Sequence, residues 1–252
     1  MAYLSEDPFT GEKYDPFEDL VHIAYNVVFL SWFALSAVLM MIVQVFSTSK
    51  EQFQRILHHY ITVSTMPILP VTHTGYTEPT TPTIIVANHS SLVDFLLLNY
   101  IPCPFGKVMS SNVVNRLWFL RPIVQGTPSV VVEYGNAERV IQEAAEFMRT
   151  KGSLLIFPEG DMNSTDRAVL PFRRGAFELA RRTGYRIQPV VIKGSKVFAR
   201  YKPNKCTMLN PTALPLEFKW LPSYTVSPDA DALEEAGRLE RVFEKELTEA
   251  VF

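Results

Sequence analysis

The sequence predicts an α/β domain with a mostly parallel or mixed central sheet flanked by helices. Three observations carry this expectation. Short apolar, β-branched runs at 83–87, 129–133, 153–157 and 187–192 have the length and composition of buried strands. Stretches of helical pattern at 92–100, 111–119, 137–150 and 175–182 separate them, which is the alternation of an α/β fold. Two of the runs, 83–87 and 153–157, stop abruptly in polar turns. At 252 residues the chain is long enough to bury one such core.

The chain begins acidic. Glu6, Asp7, Glu12, Asp15, Glu18 and Asp19 stand against Lys13 alone, whereas a secretory signal opens basic and a transit peptide is rich in Arg. Neither address is expected. Residues 20–49 then contain no Asp, Glu, Lys or Arg. About 20 apolar residues suffice to cross a bilayer, so this stretch predicts a membrane helix, either spanning or lying within one leaflet. Lys50 and Arg55 follow it, which places the rest of the chain on the cytoplasmic or equivalent face by the positive-inside tendency. Phe53, Ile56, Leu57, Tyr60 and Ile61 next form one apolar stripe at helical spacing. That helix fits either a lipid interface or a seat on the domain. Pro67, Pro70, Pro79 and Pro82 mark a connector. The resulting division is an acidic segment at 1–19, membrane-anchoring helices at 20–72 and the α/β domain at 73–252.

Within that domain a further strand is expected at 106–109. The closing helix, 230–251, carries Leu233, Leu239, Val242, Phe243 and Leu247 on one side. Residues 201–228 are rich in proline and are assigned to no element.

The strand at 83–87 runs out into Asn88, His89, Ser90 and Ser91, with Asp94 in the first turn of the next helix. Ligands of open α/β sheets sit beyond the carboxyl ends of strands, where this turn falls. Residues five apart on a regular helix are separated by roughly 140°, so His89 meets Asp94 only from a position before the helix. A carboxylate on one imidazole nitrogen fixes the tautomer and prepares the other to take a proton. The alternative is plainer: Ser91-x-x-Asp94 is also a capping box, with Asp94 serving only the helix start. At 153–160 the pattern recurs, a strand ending in Pro158, Glu159 and Gly160 at the same sheet edge. Glu159 offers an acceptor for an alcohol, and Gly160 lets backbone approach a ligand. Arg173 and Arg174 stand at a helix entrance, which suits a phosphate; the plain reading is two surface arginines.

Several classes are set aside. A net charge of -2 gives no general argument for nucleic acid. Cys103 and Cys206 have no metal-site spacing and suggest neither a zinc site nor a disulfide framework. The G-x-S-x-G elbow of a serine hydrolase is missing, so Ser90 beside His89 is no nucleophile.

The blocks NHSSLVD, FPEG, PFRRGAF and QPVVI, in this order, resemble the glycerolipid acyltransferase family that includes lysophosphatidate and lysophospholipid acyltransferases. The likeness runs from about residue 81 to 193, and the first two helices resemble the family's membrane-anchoring hairpin. It implies acyl transfer from acyl-CoA or acyl carrier protein, as co-substrate, to a glycerolipid hydroxyl at a membrane of the endoplasmic reticulum, mitochondrion or bacterial cell. No cofactor or metal is expected; the partners are membrane lipid and the acyl donor. His89 matches the family's catalytic base, Asp94 its orienting carboxylate, and Glu159 with Gly160 the block that helps bind the acceptor. Two departures stand out. Tyr134 and Met162 occupy positions where the family often has arginines associated with the acceptor's phosphate, and Asp161 adds a negative charge beside the second. Either Arg167, Arg173 or Arg174 replaces them, or the acceptor is a lysophospholipid with a larger headgroup; the departures favour the latter. The third possibility is a catalytically silent scaffold or membrane-complex subunit, against which the intact His89, Asp94, Glu159 and Gly160 argue.

Overall fold

The computed structural model describes residues 5–6, 13–14, 16–65, 69–91, 94, 105–110, 129–132, 136–198, 211 and 214–249. In chain order the elements are β1 (Ser5–Glu6), β2 (Lys13–Tyr14), α1 (Pro16–Phe46), α2 (Lys50–Thr65), β3 (Val71–Thr74), β4 (Thr83–Ala87), β5 (Phe105–Ser110) and β6 (Ser129–Val132). There follow α3 (Ala137–Lys151), β7 (Ser153–Ile156), α4 (Gly175–Thr183), β8 (Arg186–Lys193), α5 (Ser195–Phe198), β9 (Leu216–Trp220) and α6 (Ala232–Thr248).

Seven strands form one sheet in the order β3-β9-β8-β4-β7-β5-β6. Every neighbouring pair is parallel except β8 with β9, so the sheet is mixed, as the sequence leads one to expect. All five residues of β4 are buried, as a strand covered on both faces requires. Alternate residues of β4 serve two cores. Ile85 and Ala87 pack with Leu155, Val190, Phe218 and with Phe29, Met40, Phe53 and Leu57 of α1 and α2. Ile84 and Val86 pack with Phe177, Leu239 and Phe243 on the other face, under α3, α4 and α6. The first two helices therefore share a core with the sheet, and the expected boundary at residue 72 falls inside β3.

α1 has two unlike faces. Asn26, Phe29, Ser36 and Met40 are buried, and Ser36 Oγ is 3.1 Å from Tyr60 Oη of α2. Leu20, Val27, Leu35, Val45 and Phe46 point outward and are exposed. Ile23–Phe46 is long and apolar enough to cross a membrane.

Most element boundaries agree with the sequence reading to within two or three residues. Strand β7 stops at Ile156, one residue early, because Phe157 enters a turn closed by Gly160 N–H donating to Phe157 O at 3.1 Å. Proline inside a sheet favours a strand start or an edge strand, yet Pro189 sits inside β8, between β4 and β9. The missing donor is supplied next door. Leu221 N–H donates to Pro189 O at 3.0 Å, and Gln188 Nε2 donates to Leu221 O at 2.6 Å, the bond that a Pro189 N–H would otherwise make. Strands β3 and β9 and the short α5 had no sequence assignment. The helices expected at 92–100 and 111–119 lie outside the described residues, except that Asp94 is helical.

Candidate active site

Parallel pairing of β4 with β7, with Val86 opposite Ile156, brings both polar turns out at one sheet edge. Asn88 secures the first turn. It is buried, its Nδ2 donates to Ile192 O at 3.0 Å, and its Oδ1 accepts from Ile192 N at 2.7 Å. Side chain thus continues the β4–β8 ladder by one step and fixes where His89 emerges.

His89 is then gripped from four directions. Its Nδ1 lies 2.9 Å from Asp94 Oδ2. Its ring stacks on Phe157, with centroids 4.3 Å apart and planes 18° from parallel. Its backbone N–H donates to Glu159 Oε1 at 2.6 Å, and its carbonyl accepts from Asn163 N at 2.7 Å. The imidazole keeps 24% of its side-chain surface exposed while Asp94 is fully buried. With Nδ1 directed at the carboxylate, Nε2 is the nitrogen that can take a proton.

Asp94 also accepts from Ser90 N and Ser91 N, at 2.8 and 2.9 Å, through the same Oδ2. The dyad is therefore present together with the reach-back half of a capping box, the bond from Ser91 N to Asp94.

Glu159 has both carboxyl oxygens engaged by backbone donors. It is only 3% exposed, and Oε2 accepts from Leu170 N at 2.7 Å while Oε1 serves His89 N. Burial pushes this carboxyl from 4.5 up to about 7, against the opposing pull of the two backbone donors.

Gly160 has φ of 70°, in the left-handed region, and a methyl built on it would stand 2.5 Å from Arg173 Nε. Arg173 therefore lies directly against the Glu159–Gly160 turn, and its own N–H donates to Pro158 O at 2.8 Å. Arg174 is exposed and takes the N-cap position of α4 without a side-chain cap bond. Among the described contacts nothing brings Arg174 to the His89 turn. Arg167 reaches the site through its carbonyl, which accepts from Asn163 Nδ2 at 2.9 Å and from Lys196 Nζ. Asp161 is exposed, its Oδ1 accepting from Met162 N at 2.8 Å. Tyr134 lies outside the described residues.

Sequence reasoning did not single out Asn88, Phe157 or Asn163. The first two stand inside quoted blocks, where a residue beside a candidate base was a signal to examine. Asn163 gave none, since its grip on His89 depends on how a loop closes.

Comparison with known proteins follows the same lines. The Acyltransferase family profile matches residues 45–193, more than half of the chain. A 1-acyl-sn-glycerol-3-phosphate acyltransferase of Chlamydomonas reinhardtii is 26% identical over 75% of this chain and 63% of its own. The enzyme of that name from Cocos nucifera is 32% identical over 50% of this chain and 42% of its own. The alpha form from Mus musculus is 29% identical over 51% and 46%. This chain thus spans less than two thirds of each of these relatives. The crystal structure of the 1-acyl-sn-glycerophosphate acyltransferase of Thermotoga maritima superposes with a TM-score of 0.67 at 17% identity, covering 92% of this chain and 97% of that one. That likeness shows a shared fold. With the profile matched across both strand-end turns, the chain belongs to the glycerolipid acyltransferase family.

Proposed function

We propose that this protein transfers a fatty acyl group from a thioester donor, acyl-CoA or acyl carrier protein, to the free hydroxyl of lysophosphatidate. The observation that carries the reading is the His89–Asp94 pair, 2.9 Å apart at a strand end with the imidazole still partly open to solvent.

The chemistry follows general-base logic. Nε2 of His89 takes the hydroxyl proton as the alcohol oxygen attacks the thioester carbonyl, and Asp94 holds the ring in the tautomer this needs. The C–S bond then breaks, and the departing thiolate recovers the proton from the imidazolium. Proton transfer of this kind contributes on the order of 10²–10⁴ in rate. Phe157, flat against the ring, limits its tilt.

Among the described residues, Arg173 is the cation we assign to the acceptor's phosphate, since its side chain lies against the Gly160 turn. The relatives' names favour a phosphate monoester over the larger headgroup suggested by Tyr134 and Met162. The outward apolar face of α1, from Leu20 to Phe46, supports attachment to lipid with the opposite face held on the domain.

The test is product identification with membrane-reconstituted protein, an acyl-CoA series and carrier-protein donors. Acceptors are lysophosphatidate and lysophospholipids bearing choline or ethanolamine. Phosphatidate formed from lysophosphatidate, with an acceptor KM that rises in Arg173→Ala, supports the reading. Turnover of the larger headgroups alone would replace the acceptor, and silence from folded protein across the panel would favour the scaffold.

A further inference from the structure

Glu159 and Asn163 sit on the segment after β7, and both are buried polar residues, 3% and 2% exposed. Together they hold the two ends of one residue. The Glu159 carboxylate takes the N–H of His89, and the Asn163 N–H takes its carbonyl, at 2.6 and 2.7 Å. No regular strand or helix fixes His89, because β4 ends at Ala87. Its backbone position is set by bonds from a different part of the chain.

The same two residues also shape the loop from which they act. Glu159 Oε2 reaches across to Leu170 N at 2.7 Å and closes the loop at its base. Asn163 organises the interior: Oδ1 accepts from Thr165 N and Thr165 Oγ1 at 3.1 and 2.7 Å, while Nδ2 donates to Arg167 O and Ala168 O at 2.9 and 3.3 Å. All of these are bonds to the protein itself. Breaking one leaves a buried partner unpaired, so the arrangement is rigid.

We infer that Glu159 and Asn163 are positioning residues: the 157–170 loop is a clamp on the His89 peptide unit, and it sets the aim of Nε2. This inference rests on the acyl-transfer reading for its kinetic consequence, while its structural consequence stands apart from any activity. Displacement of a reacting group by about 1 Å can cost roughly 10²-fold in rate, which is the scale expected when the clamp is loosened.

The experiment pairs two readouts on full-length Glu159→Gln and Asn163→Ala. A glutamine accepts from one of the two backbone donors but not both, and alanine removes the loop's internal ties. The first readout is amide hydrogen exchange, which needs no substrate. Faster exchange at His89 and its neighbours, with β8 unchanged, is expected in both variants. The second is kinetics per folded molecule, where kcat falls and the acceptor KM holds. A raised acceptor KM with unaltered exchange at His89 would return Glu159 to substrate binding. Lower thermal stability with unaltered exchange at His89 and unaltered kcat would reduce both residues to fold maintenance. Either result overturns the proposal. If Glu159→Gln does not fold, Asn163→Ala is judged by the same criteria. Wild-type protein inactive on every acceptor defeats the acyl-transfer reading alone, because the exchange comparison still decides the clamp.

Discussion

Asp94 Oδ2 lies 2.9 Å from His89 Nδ1 and also accepts the backbone N–H groups of Ser90 and Ser91. One oxygen orients the candidate base and caps the helix start, so local structure and chemistry depend on the same carboxylate.

Asp94→Asn therefore carries two expected losses. An amide at this position no longer commands the Nδ1–H tautomer, and kcat should fall by roughly 10²–10⁴-fold, the scale of general-base assistance. The cap weakens as well, worth about 1 kcal/mol. Steady-state kinetics beside thermal unfolding separates the two, since the kinetic loss should far exceed the loss of stability. Near-normal kcat in a less stable protein would leave Asp94 a cap only.

Glu159 links the site to pH. Its carboxyl is pushed from 4.5 up to about 7 by burial, so the folded protein binds this proton more tightly than the unfolded chain does. Its contribution to stability is therefore present below 4.5 and is lost as pH rises through about 7. Denaturant midpoints measured over a pH series should decline across this window in the wild type and less so in Glu159→Gln. Parallel curves would show that the group does not titrate there.

Gly160→Ala tests the approach of Arg173. At φ of 70° an alanine is strained by roughly 1–2 kcal/mol. Its methyl would also meet Arg173 Nε at 2.5 Å, so the guanidinium must move off the turn. The expected outcome is a raised KM for lysophosphatidate with a modest fall in melting temperature. An unchanged acceptor KM would mean that Arg173 does not contact the phosphate.

Phe198 ties α1 to the domain. It is fully buried and meets Tyr25 and Phe29 edge-on, at centroid distances of 6.0 and 6.4 Å. Phe198→Ala should cost roughly 3–5 kcal/mol and loosen α1. Chemical denaturation in detergent, with limited proteolysis of 16–46, reads both effects. Loss of stability without new cleavage in α1 would place the cost in the core alone.

The fold was largely legible because buried parallel strands are written as unbroken apolar runs; Ile84, Ile85 and Val86 are an instance. Strand β9 escaped because its residues, Leu216 to Trp220, alternate between buried and half-buried inside a proline-rich stretch. Pro189 is tolerated inside β8 because its repair comes from the Gln188 side chain, a tertiary contact that no propensity encodes. At the site, His89 and Asp94 lie five residues apart and were readable as a pair. Glu159 was placed at the right edge, but sequence could not show that both of its oxygens turn inward to backbone donors. Asn163 was invisible for the same reason, since a backbone bond to His89 leaves no mark on the residue type.

The most direct measurement is acceptor-dependent thiol release from acyl-CoA by reconstituted protein, wild type beside His89→Ala, with lysophosphatidate as acceptor. The account predicts release with phosphatidate formed by the wild type, and release at the level of the acceptor-free control in a folded variant. Equal acceptor-dependent release by the two proteins would contradict it.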